Sequence, residues 1–391
     1  MKKRDHILGE VDRLMPEVIR LRHRIHRNPE LSMKEFETSG LVREELAGTS
    51  IELDPPYLET DVVGMLMGGR EGKNVTLRAD MDALPLDEKT GAEYQSQNAG
   101  VMHACGHDGH TSILLCAARV LDGLKDDLCG SVRFVFQPGE EVGGGRKLLA
   151  KDILKDPVPD VAIALHGSPS HPLGRISARP GMAMAACDFF NIRVTGKGSH
   201  ASRPEEGIDS VLTAARIVDA LQSVVSRSIS AFQQGVVSVC HVESGMNCNV
   251  LPDEAFLEGC IRYLEPAVGD KLREEMNRII KGVCDAMGAT YAFNCDQTFA
   301  ATVNTPEVVD RGARIARDLF GDDGWYELPE PALGSEDFSF FLQRCPGAMF
   351  RVGVGEQVAP LHNPRYDFTD EALRAGILFF VAMTMDILSA D

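Results

Sequence analysis

The sequence predicts an α/β protein with a mainly parallel sheet flanked by helices and a smaller α+β unit inserted into it. Three observations carry this. Strand-like and helix-like segments alternate from about residue 60 onward, as in α/β sheets. SVRFVFQ (131–137) and VAIAL (161–165) are short apolar, partly β-branched runs, consistent with buried parallel strands. Near Gly174–Gly181 the texture changes to strands with one wetter face, and sheet-and-helix texture returns after residue 297.

The elements follow in order. Residues 1–30 read as an amphipathic helix with Ile7, Val11, Leu14, Val18 and Leu21 on one side. VTLRAD (75–80) reads as a strand. SILLCAARVLDGL (112–124) reads as a helix, with Leu114, Ala118, Leu121 and Leu124 on one face. SVRFVFQ (131–137) and VAIAL (161–165) read as buried parallel strands. In the inserted region the strands are 187–196, 235–244, 254–264 and 289–295, and the helices 208–226 and 268–288. Their order, β-α-β-β-α-β, is the ferredoxin-like arrangement. The expected domains are therefore 1–180, 181–297 and 298–391, the first and last forming one body.

Composition narrows the function. The chain has 391 residues, 44% hydrophobic and 25% charged, with a formal net charge of -18. That profile fits a soluble globular protein. Its acidity argues against nucleic acid or an anionic membrane as partner. No stretch approaches the roughly 18 apolar residues of a membrane span. The N-terminus lacks the apolar core of a signal peptide, so the cytoplasm is the expected compartment. The ten cysteines are then expected to be reduced, with Cys116, Cys240 and Cys260 read as buried thiols.

Several strands end in groups that could bind a metal. VTLRA runs into Asp80 and Asp82, VRFVFQPG into Glu140 and Glu141, and VAIAL into His166. Ligands gather beyond the carboxyl ends of strands in open α/β sheets. Between the first two lies HACGHDGH (103–110). Thiolate, imidazole and carboxylate are ordinary ligands for zinc and related ions. As a plain helix entry, the same stretch would place Asp108 at the N-cap and His110 toward solvent. Cys105 could also be a covalent nucleophile. Adjacent Glu140 and Glu141 can divide labour, one binding metal and the other serving as base for an attacking water.

The motifs LRADMDALPLDE (77–88), MHACGHDGHT (102–111), FQPGEE (136–141), ALHGSP (164–169), GKGSHASRPEEG (196–207), NVLPDEAFLEGCIR (249–262), GSEDF (334–338) and LHNPRYDF (361–368) span nearly the whole chain. Together they resemble the metallo-amidohydrolases of the aminoacylase and glutamate-carboxypeptidase peptidase family. The branch in question contains hippurate hydrolase, N-acyl-amino-acid deacylases and auxin-conjugate hydrolases.

The resemblance implies two divalent ions per subunit, zinc or manganese first, with cobalt or nickel as alternatives. It implies that Cys105 bridges them, that His107 and His166 complete one shell, and that Glu141 and His362 complete the other. Glu140 would be general base and acid. Asp82 would orient a ligand, with Asp80 in support. His103 and His110 would pack or hydrogen-bond rather than ligate. His200 would donate to the developing oxyanion, often in the partner subunit's site. Asn249 and Arg262 would bind substrate. The inserted domain would be a lid and the seat of a homodimer. The implied reaction is hydrolysis of an N-acyl amino acid or similar small amide. A dipeptidase or carboxypeptidase and an inactive amino-acid-binding homologue are the alternatives. Ser199, Asn363 and Cys248 depart from the commoner pattern, which bears on substrate preference rather than on the chemistry.

Overall fold

The computed structural model describes residues 2–389. Its first half runs α1 (Lys2–Arg27), α2 (Phe36–Leu46), β1 (Glu52–Leu53), β2 (Val62–Met67), β3 (Arg70–Asp80), α3 (His107–Asp122), β4 (Cys129–Gln137), α4 (Gly144–Leu149), β5 (Val161–Pro169), β6 (Ile176–Ser177) and β7 (Gly181–Met184). Next come β8 (Ala186–Thr195), β9 (Ser199–His200), α5 (Ser210–Ser223), β10 (Gly235–Ser244), β11 (Val250–Leu251), β12 (Glu254–Tyr263), α6 (Pro266–Met287) and β13 (Thr290–Phe299). The chain ends with β14 (Thr302–Asn304), α7 (Pro306–Phe320), α8 (Ser339–Leu342), β15 (Gly347–Gly355) and α9 (Asp370–Ile387).

The chain divides into two compact units. The first comprises Met1–Ala183, Thr302–Glu330 and Asp337–Asp391; the second comprises Met184–Ala301 and Pro331–Glu336.

The first unit holds a seven-stranded sheet in the order β1-β2-β4-β3-β5-β15-β6. The four central strands, β4, β3, β5 and β15, are parallel, and the edges are antiparallel. Val75 to Asp80 are all buried, as expected of a strand covered on both faces. The chain leaves β3 for β4 on one side, then returns to β5 on the other. The carboxyl ends of these strands therefore surround a switch point, where α/β sheets bind ligands.

α3 begins at His107, five residues earlier than the periodicity suggests, and nearly every side chain in it is buried. α1 and α9 pack against it, so it has no wet face. This corrects two readings of the helix entry. The N-cap is Gly106, not Asp108. His110 is buried rather than solvent-facing.

The second unit is a four-stranded antiparallel sheet in the order β10-β12-β8-β13. α5 and α6 cover one face, with Ile217, Leu221, Leu272, Met276 and Ile280 packed over Ile192, Val194, Leu257 and Ile261. Cys240 is exposed and Cys260 half-buried, whereas Cys116 is buried. The burial expected of Cys240 fails because it sits at the β10 bulge between Val239 and His241, on an edge strand. No helix among the described residues is long and apolar enough to cross a membrane.

Candidate metal centre

Adjacent parallel strands bring the candidate residues of the first unit together. β3 leads into Asp80 and Asp82, β4 into Glu140 and Glu141, and His166 lies on β5. The loop after β15 carries His362. Among the described residues, five groups of three donor atoms lie within 4.8 Å of one another; two of them are Cys105, His107 and His166, and Cys105, Glu141 and His362. Cys105 is common to both.

The 103–107 loop has a steric requirement. Gly106 has φ +89°, and a Cβ there would lie 2.8 Å from the Tyr366 hydroxyl and 3.0 Å from the Phe368 ring. Only glycine meets both demands without strain, so Cys105 and His107 are separated by the one residue the turn accepts. His362 is also left-handed, at φ +61°, although it is not glycine. Its N–H donates to the Ala104 carbonyl at 2.8 Å, which holds the backbone there. Non-glycine residues in this region persist only when their surroundings fix them, and they cluster at functional sites.

Hydrogen bonds set the imidazole tautomers. His107 Nδ1 donates to the Asp82 carbonyl at 2.8 Å. Its Nε2 is left buried without a hydrogen-bond partner. His166 Nδ1 donates to the Gly167 carbonyl at 2.7 Å, and its Nε2 lies 3.4 Å from Cys105 Sγ. His362 Nε2 is 3.1 Å from Glu141 Oε1. A buried His107 Nε2 without a hydrogen-bond partner fits a cation, and the donor set of sulfur, nitrogen and carboxylate suits a divalent transition ion. Hydrogen bonds to Cys105 and Glu141 push His362 up to about 10, so a metal held there would displace its proton.

His110 is different. Its Nδ1 donates to Asp80 Oδ1 at 2.6 Å, and its Nε2 accepts from the Gly167 N–H at 2.7 Å. Both ring nitrogens are occupied, as expected of a hydrogen-bonding histidine. His103 is buried with neither nitrogen partnered. Burial pulls it down to about 4, so it is neutral. Asp80 also pairs with the buried Arg78 at 2.7 Å.

Asp82 organises the turn after β4. Its Oδ1 accepts the Glu140 N–H at 3.0 Å. Its Oδ2 accepts the Glu141 N–H at 3.1 Å and the Ser32 hydroxyl at 2.6 Å. Burial opposes its charge, but hydrogen bonds from His107 and Ser32 hold it below the usual carboxylate range. Glu140 is buried, and its Oε1 accepts the Asp337 N–H at 3.3 Å. His107, Glu140 and Glu141 also lie within 4.8 Å of one another through their ligand atoms.

The remaining candidates lie in the second unit. His200 is exposed on β9, directly opposite Val250 of β11. The Ala201 N–H donates to the Asn249 carbonyl at 3.0 Å, so His200 and Asn249 occupy neighbouring rungs. The Ser202 N–H donates to His200 Nδ1 at 3.1 Å, and the Ser202 hydroxyl lies 2.7 Å from the same atom. A neutral His200 therefore carries its proton on Nε2. Arg262, on β12, donates through Nη1 to the Leu333 carbonyl at 2.8 Å and Ser335 Oγ at 3.2 Å.

Two further groups support the site: no motif marks Glu35, while Asp337 lies within GSEDF (334–338). Glu35 is buried and accepts the Gly139 N–H at 2.9 Å and the Thr60 hydroxyl at 2.8 Å. Asp337 accepts from Gln137 Nε2 and the Gly145 N–H and pairs with Arg78.

Residues 76–386 match the model of peptidase family M20/M25/M40. The chain belongs to this family. It is 38% identical to thermostable carboxypeptidase 2 of Saccharolobus solfataricus over 383 residues, 96% of each chain. It is 34% identical to hippurate hydrolase of Campylobacter jejuni over 386 residues, 98% of this chain and all of that one. Among solved structures it resembles Bacillus subtilis YXEP, described as a dinuclear metal binding peptidase from the M20 family. That match has a TM-score of 0.83 at 30% identity and covers 96% of this chain and 99% of the other. The M20 membership and the clustered donors make the protein a metal-dependent amidohydrolase.

Proposed function

We propose that the protein hydrolyses the amide bond of an N-acyl amino acid or a similar small amide, using two divalent ions. The observation that carries this is the sharing of Cys105 between two donor groups. In this reading Cys105, His107 and His166 would hold one ion, and Cys105, Glu141 and His362 would hold the other. Zinc or manganese suits the mixed donor set. Ions held there would lower the pKa of water and polarise a carbonyl.

The chain's own residues do the rest. Glu140, on the same turn as Glu141, accepts the proton of the attacking water and returns it to the leaving nitrogen. Asp82 fixes that turn and the His107 tautomer, as outer carboxylates do. His200 Nε2–H donates to the carbonyl oxygen as negative charge develops. Asn249 and Arg262 bind the carbonyl or the carboxylate of the substrate. Arg262 and the ions give an acidic protein the local positive charge an anionic substrate needs.

The second unit acts as a lid and a homodimer contact. β10 supports the dimer role as an edge strand with exposed Val242, since open edges pair readily. The cytoplasm remains the proposed compartment.

Carboxypeptidase action is the second reading, favoured by the name of the Saccharolobus relative at 38% identity. The same centre can cleave either bond. Protein loaded with zinc or manganese, assayed on N-acetyl amino acids, N-benzoyl amino acids and dipeptides, separates the two. We expect the acyl amino acids to be cleaved fastest; dipeptides cleaved far faster would reverse the choice.

A further inference from the structure

α1 contributes none of the proposed ligands, yet it carries a fully buried arginine, Arg22. Three carboxylates from two distant stretches of the chain meet its guanidinium. Nε donates to Asp108 Oδ2 at 2.8 Å, Nη1 donates to Asp370 Oδ1 at 2.7 Å, and Nη2 donates to Asp367 Oδ1. Asp108 directly follows His107. Asp367 lies in the loop that carries His362, and Asp370 opens α9.

Neighbouring groups lock the arrangement. His26, one turn further along α1, places Nδ1 2.8 Å from the same Asp108 oxygen and Nε2 3.2 Å from Glu88 Oε1. The Tyr94 hydroxyl donates to Asp367 Oδ2 at 2.6 Å, and the Arg22 guanidinium lies 4.8 Å from the Tyr94 ring centre. Without the guanidinium, the fully buried Asp108 would face the partly exposed Asp367 and Asp370 unneutralised, and their segments would be pushed apart.

We infer that Arg22 is a positioning residue for the metal centre: it sets the spacing between the His107 segment and the His362 segment by clamping Asp108 and Asp367. The inference rests on the metal-binding reading above. Those two histidines belong to different donor groups, and Cys105 can serve both only if their separation is held. Arginine is required because its planar fork engages several carboxylates at once; lysine keeps the charge but offers a single point.

The test compares zinc affinity in wild type, Arg22→Lys and Arg133→Lys. Competition with a chromophoric chelator is read well below the melting temperature, on samples whose near-ultraviolet circular dichroism is native. Arg133 is also buried, but it donates to the carbonyls of Asp156 and Pro157, away from the donors. Arg22→Lys is expected to weaken zinc binding about 10–100-fold, the usual effect of losing a group that orients ligands. Arg133→Lys is expected to lower melting temperature with zinc affinity unchanged. Should Arg22→Lys not fold, Asp367→Asn leaves Arg22 paired with Asp108 and Asp370. It is expected to weaken one of the two zinc ions selectively. Wild-type zinc affinity in Arg22→Lys, or in Asp367→Asn where that stands in, would overturn the positioning role. A wild type that binds no zinc would instead remove the metal reading itself.

Discussion

Replacing Asp82 with asparagine isolates the part of the site that is hydrogen bonding rather than ligation. The change preserves shape, so no cavity forms. The carboxylate accepts the Glu140 N–H, the Glu141 N–H and the Ser32 hydroxyl, and its Oδ1 also lies 3.2 Å from His107 Nδ1. An asparagine presents one oxygen and one amide nitrogen. If its oxygen faces Glu141 and Ser32, its NH2 group faces the Glu140 N–H, two donors opposed in a buried place. A buried donor left unsatisfied costs about 1–3 kcal/mol, and loss of charge assistance from the other bonds adds to it. We take about 3 kcal/mol for the sum. At about 2–4 °C per kcal/mol for a unit of this size, the metal-free variant should melt about 6–12 °C below wild type. The Glu140–Glu141 turn would shift with it, and metal affinity should fall about 10–100-fold. Calorimetry of the metal-free proteins at neutral pH, with metal titration in parallel, reads both effects. A melting temperature within a degree of wild type, with unchanged metal affinity, would refute the claim that Asp82 holds the turn.

Glu140→Gln should retain bound metal but lose turnover by about 10²–10⁴-fold, the usual worth of a general base; normal turnover with full metal content would remove Glu140 from the chemistry. Glu35 gives a pH signature. Burial, then the nearby Asp82 charge, pushes it up to about 7 from 4.5. The folded state therefore holds a proton that the unfolded state has released between those values. Stability should fall as pH rises through that window, by up to about 3 kcal/mol relative to Glu35→Gln. Urea melts of both proteins at pH 5 and pH 8 check the sign, and parallel stability curves would show that Glu35 is ionised in the fold throughout.

The parallel strands around the site were legible because VTLRA, VRFVF and VAIAL are short, mostly apolar runs that stop at a polar residue, although the buried Arg78 and Arg133 interrupt two of them. β15 was harder to read. Its GAMFRVGVG is broken by glycine, which weakens strand propensity. A Cβ at Gly347 would fall 2.2 Å from the Ala162 carbonyl, so neighbouring backbone dictates that residue. The strand-end carboxylates and His166 could be singled out one by one, but joining His362 to them needed the family resemblance, because periodicity does not encode convergence of distant loops. Arg22 and Glu35 were not legible. A charged residue in an amphipathic helix reads as solvated, and only partners such as Asp108 and Asp367, distant in sequence, make a buried place for Arg22. His110 was expected to pack or hydrogen-bond, and its two partners, Asp80 and the Gly167 N–H, become visible only when β3 and β5 lie side by side.

The central claim is that Cys105 is shared by two ions. Metal analysis of purified Cys105→Ala beside wild type tests it most directly. Wild type should carry two divalent ions per chain, and the alanine variant should lose metal together with activity. Two ions per chain in Cys105→Ala would contradict the account.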